Sequence, residues 1–234
     1  HKVHNINSCF ISQAQIKKAY KFVTKQQIAA LRKSIKRIKA FSQNQLSRSW
    51  SITNDGSMLG EKVTAISSVA IYVPAGKASY PSTVLMNTIP AKVAGVKNII
   101  MVSPIDKIEN HALAVVAADL CGVDKILRIG GAHAIAALAY GTKKINQVDK
   151  IVGPGNIYVT LAKKIVYGDV GIDNIAGPSE IVVVADESNN PEWIAMDLFS
   201  QAEHDELAQP ILISKNAKLL NKVREAIEKL LPYL

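Results

Sequence analysis

Val69-Ala70-Ile71-Tyr72-Val73-Pro74-Ala75-Gly76 is an unbroken apolar run closed by a Pro-Ala-Gly turn. Five consecutive residues without polar alternation predict a strand buried on both faces, the condition of a parallel sheet covered by helices on each side. Outward from this run the chain alternates. A helix is predicted from Ser82 to Gly95, a strand over Asn98–Val102, a helix over Glu109–Cys121 and a strand over Lys125–Ile129. A Gly130-Gly131 turn then leads into a helix ending near Tyr140, a strand Lys150–Val152, a Gly153-Pro154-Gly155 turn and a helix Tyr158–Val166. Strand–helix units of roughly 25 to 30 residues are the mark of βαβ crossovers. The fold class expected is therefore α/β, with residues 68–175 forming a Rossmann-like parallel sheet that carries helices on both faces.

Upstream, residues 1–67 read as a basic helical arm with connecting strands: polar loops from Trp50 give way to a first strand, Lys62-Val63-Thr64-Ala65-Ile66. Downstream, Ile181–Ala185 begins a new unit, followed by a helix from Pro191 to Ala202, a strand Pro210–Ile213 and a helix Ala217–Leu231. Pro191 suits a first helical turn, where its missing N–H costs nothing. Two strands make a marginal sheet. Residues 176–234 are accordingly read as the start of a second α/β domain, incomplete as it stands.

With 234 residues, 48% hydrophobic and 20% charged, the chain has the composition of a globular protein with a real core. Cys9 and Cys121 lie far apart with no pairing pattern, which points to a reducing compartment. No apolar run approaches the roughly 20 residues of a membrane span, and the N-terminus lacks a signal-peptide core; a cytoplasmic protein is expected. The net charge of +9 is local, since residues 1–54 hold eleven Lys and Arg and no Asp or Glu, leaving seventeen basic against nineteen acidic residues beyond. In this arm Ile16, Tyr20, Ile28, Leu31, Ile35 and Ile38 recur at helical spacing with lysines and arginines between them. One or two amphipathic helices docked on the body or on a second subunit are expected. Nucleic acid is not expected as a partner, because no aromatic residues recur at stacking intervals.

Ligands of open α/β sheets gather at the carboxyl ends of strands, where turns meet helix N-termini. Tyr72–Gly76, Gly130-Gly131-Ala132-His133 and Gly153-Pro154-Gly155-Asn156 each follow a strand and open a helix, so their N–H groups are candidates to hold a dinucleotide's phosphates. None matches the pyrophosphate fingerprint GxGxxG. His133 is a ligand donor or a turn cap, Asn156 a ligand contact or an Asx cap, and His111 a solvated residue. Ser179 follows Gly177-Pro178 with no His and acid placed to activate it, so it is a substrate contact or turn former rather than a nucleophile. In Ser200-Gln201-Ala202-Glu203-His204-Asp205 an amide oxygen and an imidazole lie one helical turn apart on one face, an arrangement suited to a divalent metal. Two such donors do not complete a zinc shell, which needs three or four.

Six blocks together, Tyr72-Val-Pro-Ala-Gly76, Ser82-Thr-Val-Leu-Met86, Gly130-Gly-Ala-His-Ala-Ile-Ala-Ala-Leu-Ala139, Val148-Asp-Lys-Ile-Val-Gly-Pro-Gly-Asn156, Ala176-Gly-Pro-Ser-Glu180 and Asp197-Leu-Phe-Ser-Gln-Ala-Glu-His204, resemble histidinol dehydrogenase in kind and order. The resemblance extends over about residues 10–234. It implies a zinc enzyme, working as an intertwined homodimer, that oxidises L-histidinol to L-histidine in two steps with two NAD. By that resemblance NAD contacts fall on Tyr72, His133 and Asn156, substrate contacts on Ser179, Gln201 and His204, and metal ligands on Gln201 and His204. Position 133 carries His where the family typically has Gln. The family's Glu-His catalytic pair, a further Asp and a last His ligand are implied to lie beyond Leu234, so no catalytic base is expected here and the chain alone is expected to be inactive. The alternative class is a non-catalytic relative that binds a partner or nucleic acid through the basic arm.

Overall fold

The computed structural model describes residues 9–75, 79–175, 179–203 and 207–233. The chain divides into two compact units, His1–Ile175 and Ala176–Leu234.

The arm forms two helices because its polar residues stop and restart the chain. Ser12 and Gln15 form a capping box that opens α1 (Gln13–Ala19), a short 3-10 turn follows at Tyr20–Phe22, and Thr24 with Gln27 repeats the box to open α2 (Lys25–Gln43). Ile16, Ala19, Val23 and Leu31 are buried in the same core as the sheet, which places the arm's apolar stripe against the body. Tyr20 Oη donates to Asp119 at 2.7 Å and Lys18 pairs with Glu109 at 2.6 Å, fastening the arm to the helix and loop beside it.

Residues 50–66 depart from the expectation. Trp50–Asn54 (β1) and Ser57–Glu61 (β2) form an antiparallel hairpin, whereas Lys62–Ile66 carries no strand pairing. Asp55 and Gly56 both have positive φ, 48° and 78°, as a two-residue type I′ connection requires. All ten hairpin residues are exposed. The β-branched content of 62–66 suggested a strand, but no sheet edge is paired with it.

The main sheet contains β3 (Ser68–Tyr72), β4 (Asn98–Val102), β5 (Lys125–Leu127), β6 (Lys150–Val152) and β7 (Gly171–Ile172) in the order β5-β4-β3-β6-β7, all pairs parallel. The two-residue β7 was not expected. Helices α3 (Pro81–Val93), α4 (Ala112–Cys121), α5 (Gly131–Tyr140) and α6 (Ile157–Val166) connect them. Helix α4 starts three residues later than expected. Val69, Ile71 and Val73 of the central strand face α3, α4 and the arm, while Ala70 and Tyr72 face α5 and α6. This alternation of two buried faces explains the unbroken apolar run. The chain builds β3, β4 and β5 in one direction, then returns to lay β6 on the other side of β3. The switch point lies between the carboxyl ends of β3 and β6.

Residues 9–11 run antiparallel along the outer edge of β5, with Ile11 N–H donating to Ile126 O at 2.9 Å and Arg128 N–H to Cys9 O at 2.6 Å. The second unit has β8 (Glu180–Val184) parallel to β9 (Gln209–Ile213), with α7 (Pro191–Ala202) and α8 (Ala217–Leu230) on one face. Asn190 caps α7 directly before Pro191. The other sheet face leaves Val182, Val184, Ile211 and Ile213 exposed. Among the described residues no helix is long and apolar enough to cross a membrane.

Candidate functional site

Three strand-end turns meet at the switch point of the first unit, tied together by Tyr72. This side chain is 4% exposed, and its hydroxyl accepts the Gly131 N–H at 3.1 Å, joining the end of β3 to the start of α5. Burial pushes the phenol above its ordinary range against the opposing pull of the Gly131 N–H. Tyr72 therefore keeps its proton, and its hydroxyl remains a donor while accepting from Gly131.

The same residue's backbone sets the second turn. Gly153 has φ +105°, and a Cβ there would collide with the carbonyl oxygen of Tyr72. Only glycine lets the β6–α6 turn pass this close to β3. The turn is also held from behind. Asp173 Oδ2 accepts the Gly153 N–H at 2.7 Å, Lys163 Nζ donates to the Gly153 carbonyl at 3.0 Å, and Lys163 pairs with the other Asp173 oxygen. Lys163 is 3% exposed. Neither residue stands out in sequence, although one signal was present: Val159, Ala162, Lys163 and Val166 are all buried, so the lysine lies on the apolar stripe of α6.

Asn156 is the N-cap of α6, its Oδ1 accepting the Val159 N–H at 3.1 Å. The capping role is thus real. Its side-chain nitrogen makes no hydrogen bond among the described residues, which leaves a donor for a ligand. With Gly153 clamped internally and Pro154 lacking an N–H, the N–H groups of Gly155 and Asn156 and the first of α6 are the turn's remaining donors toward an anion. His133 occupies the first turn of α5 and is exposed. Gly130, which precedes it, could carry no Cβ without meeting Pro104 Cβ at 2.7 Å.

His111, expected to be solvated, is instead 5% exposed, with Nε2 3.1 Å from Asp106 Oδ1. Arg128 donates to the carbonyls of Ile105 and Asp106 nearby. These contacts secure the loop after β4, and they explain why α4 begins only at Ala112.

In the second unit, Ser179 immediately precedes β8 and its carbonyl accepts the Gln209 N–H at 3.3 Å. Gln201 lies in the last turn of α7. Because α7 crosses back from the carboxyl end of β8 to the start of β9, both residues sit at the amino-terminal edge of this strand pair. A recess of about 1000 Å³ lined by Asp186, Ser188, Lys215 and Asn216 lies at the opposite, carboxyl end. Neither Ser179 nor Gln201 lines it. His204 lies outside the described residues, as do Gly76 and Ala176–Pro178. Among the described residues no group of three His, Cys, Asp or Glu is arranged to hold a metal. One amide oxygen, with His204 outside the described residues, does not make a zinc shell.

A family model described as Histidinol dehydrogenase matches residues 1–234. The chain is 56% identical over 223 residues to a histidinol dehydrogenase of Dechloromonas aromatica, covering 95% of this chain and 52% of that one. It is 53% identical over 232 residues to one of Pseudomonas fluorescens, covering 99% and 53%. The crystal structure of histidinol dehydrogenase from Elizabethkingia anophelis superposes with a TM-score of 0.86 at 37% identity, over 99% of this chain and 54% of that one. The chain thus spans about half the length of the relatives it matches. On the order of its motifs, the doubly wound sheet and these likenesses, the chain belongs to the histidinol dehydrogenase family.

Proposed function

We propose that this chain supplies the dinucleotide-binding part of an NAD-dependent histidinol dehydrogenase, an oxidoreductase of histidine biosynthesis that converts L-histidinol to L-histidine. The observation that carries the reading is the convergence of three strand-end turns at one switch point, bound to each other through Tyr72 and Gly153. A bound NAD would supply the hydride acceptor for each of two oxidations. The residues of this chain fit that group: α5 and α6 open their N-termini directly after Gly130 and the Gly153–Asn156 turn, where backbone N–H groups can receive phosphate. Tyr72 orients the turns and offers a phenol proton, Asn156 offers its side-chain amide, and His133 offers a ring nitrogen at the start of α5. Ser179, Gln201 and His204 are assigned to the substrate, and Gln201 and His204 also to zinc as two of its ligands. The protein is read as a cytoplasmic homodimer, a compartment consistent with two free cysteines, Cys9 and Cys121.

Titration of the purified chain with NAD, followed by calorimetry and by amide chemical shifts, tests the central claim. Binding with shifts confined to residues around 72–75, 130–133 and 153–158 is expected. Failure to bind NAD at millimolar concentration would refute it.

A further inference from the structure

Lys163 stands where packing alone would favour leucine. It lies on the stripe of α6 that faces the core, between Val159 and Val166, and burying an ammonium is costly unless it is paired and hydrogen-bonded. Here it is both, and the partners are informative. Lys163 and Asp173 form an ion pair that also bonds both polar groups of a single residue, Gly153, one at its N–H and one at its carbonyl. Asp173 also accepts the Asn174 N–H at 2.8 Å, which fixes the carboxylate from the β7 side.

Gly153 is the first residue beyond β6 and adopts a φ that leaves its own peptide groups unable to join the sheet ladder past Val152. Holding both groups fixes the direction in which the chain leaves the strand. The next residues, Pro154, Gly155 and Asn156, carry that direction into the first turn of α6. We propose that Lys163 and Asp173 are positioning residues of the nucleotide site: the pair of a buried lysine and a partly exposed carboxylate sets the conformation of the Gly153–Asn156 turn and thereby the affinity for NAD. This rests on the dinucleotide reading above. The pair is neutral as a unit, so it acts through geometry and adds no net charge toward phosphate. Loss of either member weakens binding. A purely electrostatic role would instead give opposite signs, with removal of the ammonium weakening binding and removal of the carboxylate strengthening it.

The test is NAD affinity of the full chain by calorimetry at 10 °C, with folding checked by circular dichroism, for Lys163→Met, Asp173→Asn and the neighbouring exposed Lys164→Met. Tenfold or greater weakening is expected for the first two and less than twofold change for Lys164→Met. Should Lys163→Met fail to fold, Asp173→Asn carries the same test, since its carboxamide keeps an acceptor for Lys163 and gives up the acceptor for the Gly153 N–H. A folded Lys163→Met or Asp173→Asn protein that binds NAD within twofold of the unaltered chain overturns the proposal alone. Tighter binding by Asp173→Asn also overturns it, in favour of simple charge. If the unaltered chain binds no NAD, the dinucleotide reading falls and this proposal with it.

Discussion

Replacing Gly153 by alanine tests whether the β6–α6 turn is pinned against the central strand. Two costs act on the substitution. An L-residue held at φ +105° is strained by on the order of 1–3 kcal/mol. The new Cβ also collides with the Tyr72 carbonyl, which belongs to backbone and cannot rotate away. Relief requires the turn to move, and movement breaks the bonds from Gly153 to Asp173 and Lys163. Hydrogen bonds to charged groups contribute about 1.5–3 kcal/mol each, so the second cost is on the order of 3 kcal/mol. Gly168 provides the comparison, for it has φ +110° and open space where a Cβ would go. Gly168→Ala should therefore carry the conformational cost alone. For a chain of this size each kcal/mol shifts the melting midpoint by roughly 2–4 °C. Thermal unfolding by circular dichroism should place Gly153→Ala about 6–12 °C below Gly168→Ala. Equal midpoints would refute the close approach of the turn to Tyr72.

Asn156→Ala should lose about 1 kcal/mol of helix capping and weaken NAD binding, whereas Asn156→Asp keeps the cap and should weaken binding alone; urea unfolding and calorimetry separate the two effects. Tyr20 is held by burial and by its bond to Asp119 with a pKa raised from 10.0 to about 12. Its folded-state pKa lies above its unfolded one, so its contribution to stability is intact below pH 10 and fades as pH rises toward about 12. Denaturant midpoints measured across that range should fall less steeply for Tyr20→Phe than for the unaltered chain. The Cys121 thiol, pushed up to about 12 by burial, should resist iodoacetamide at pH 8 in the folded chain and react on unfolding, as read by mass spectrometry.

The central architecture was legible because doubly covered strands cannot alternate polar and apolar residues, and Val69–Val73 and Asn98–Val102 announce that condition directly. The hairpin was missed although Asn54-Asp55-Gly56-Ser57 is a strong turn signal. Its strands bury nothing, so hydrophobic pattern gave no help, and the β-branched 62–66 drew the assignment away. Strand β7 escaped because two residues carry no period. At the site, Tyr72, Gly153 and Asn156 could be found by their position after strands. Lys163 and Asp173 could not be found that way, because their meaning arises from a contact made only on folding. His111 was misjudged for the same reason: its burial depends on the loop that Asp106 and Arg128 secure.

The order of strands also constrains how the molecule is made. Val69 registers with Ile99 on one side and with Lys150 on the other, so the innermost strand stays half-covered while the intervening polypeptide is being translated. At ribosomal speeds of about 5–20 residues per second, the stretch from Ile99 to Lys150 takes roughly 3–10 s. Pairings so distant in sequence form slowly even in a finished chain. During biosynthesis the nucleotide cleft is consequently a late product, and nascent chains arrested before β6 would display a sticky apolar ribbon suited to capture by a chaperone.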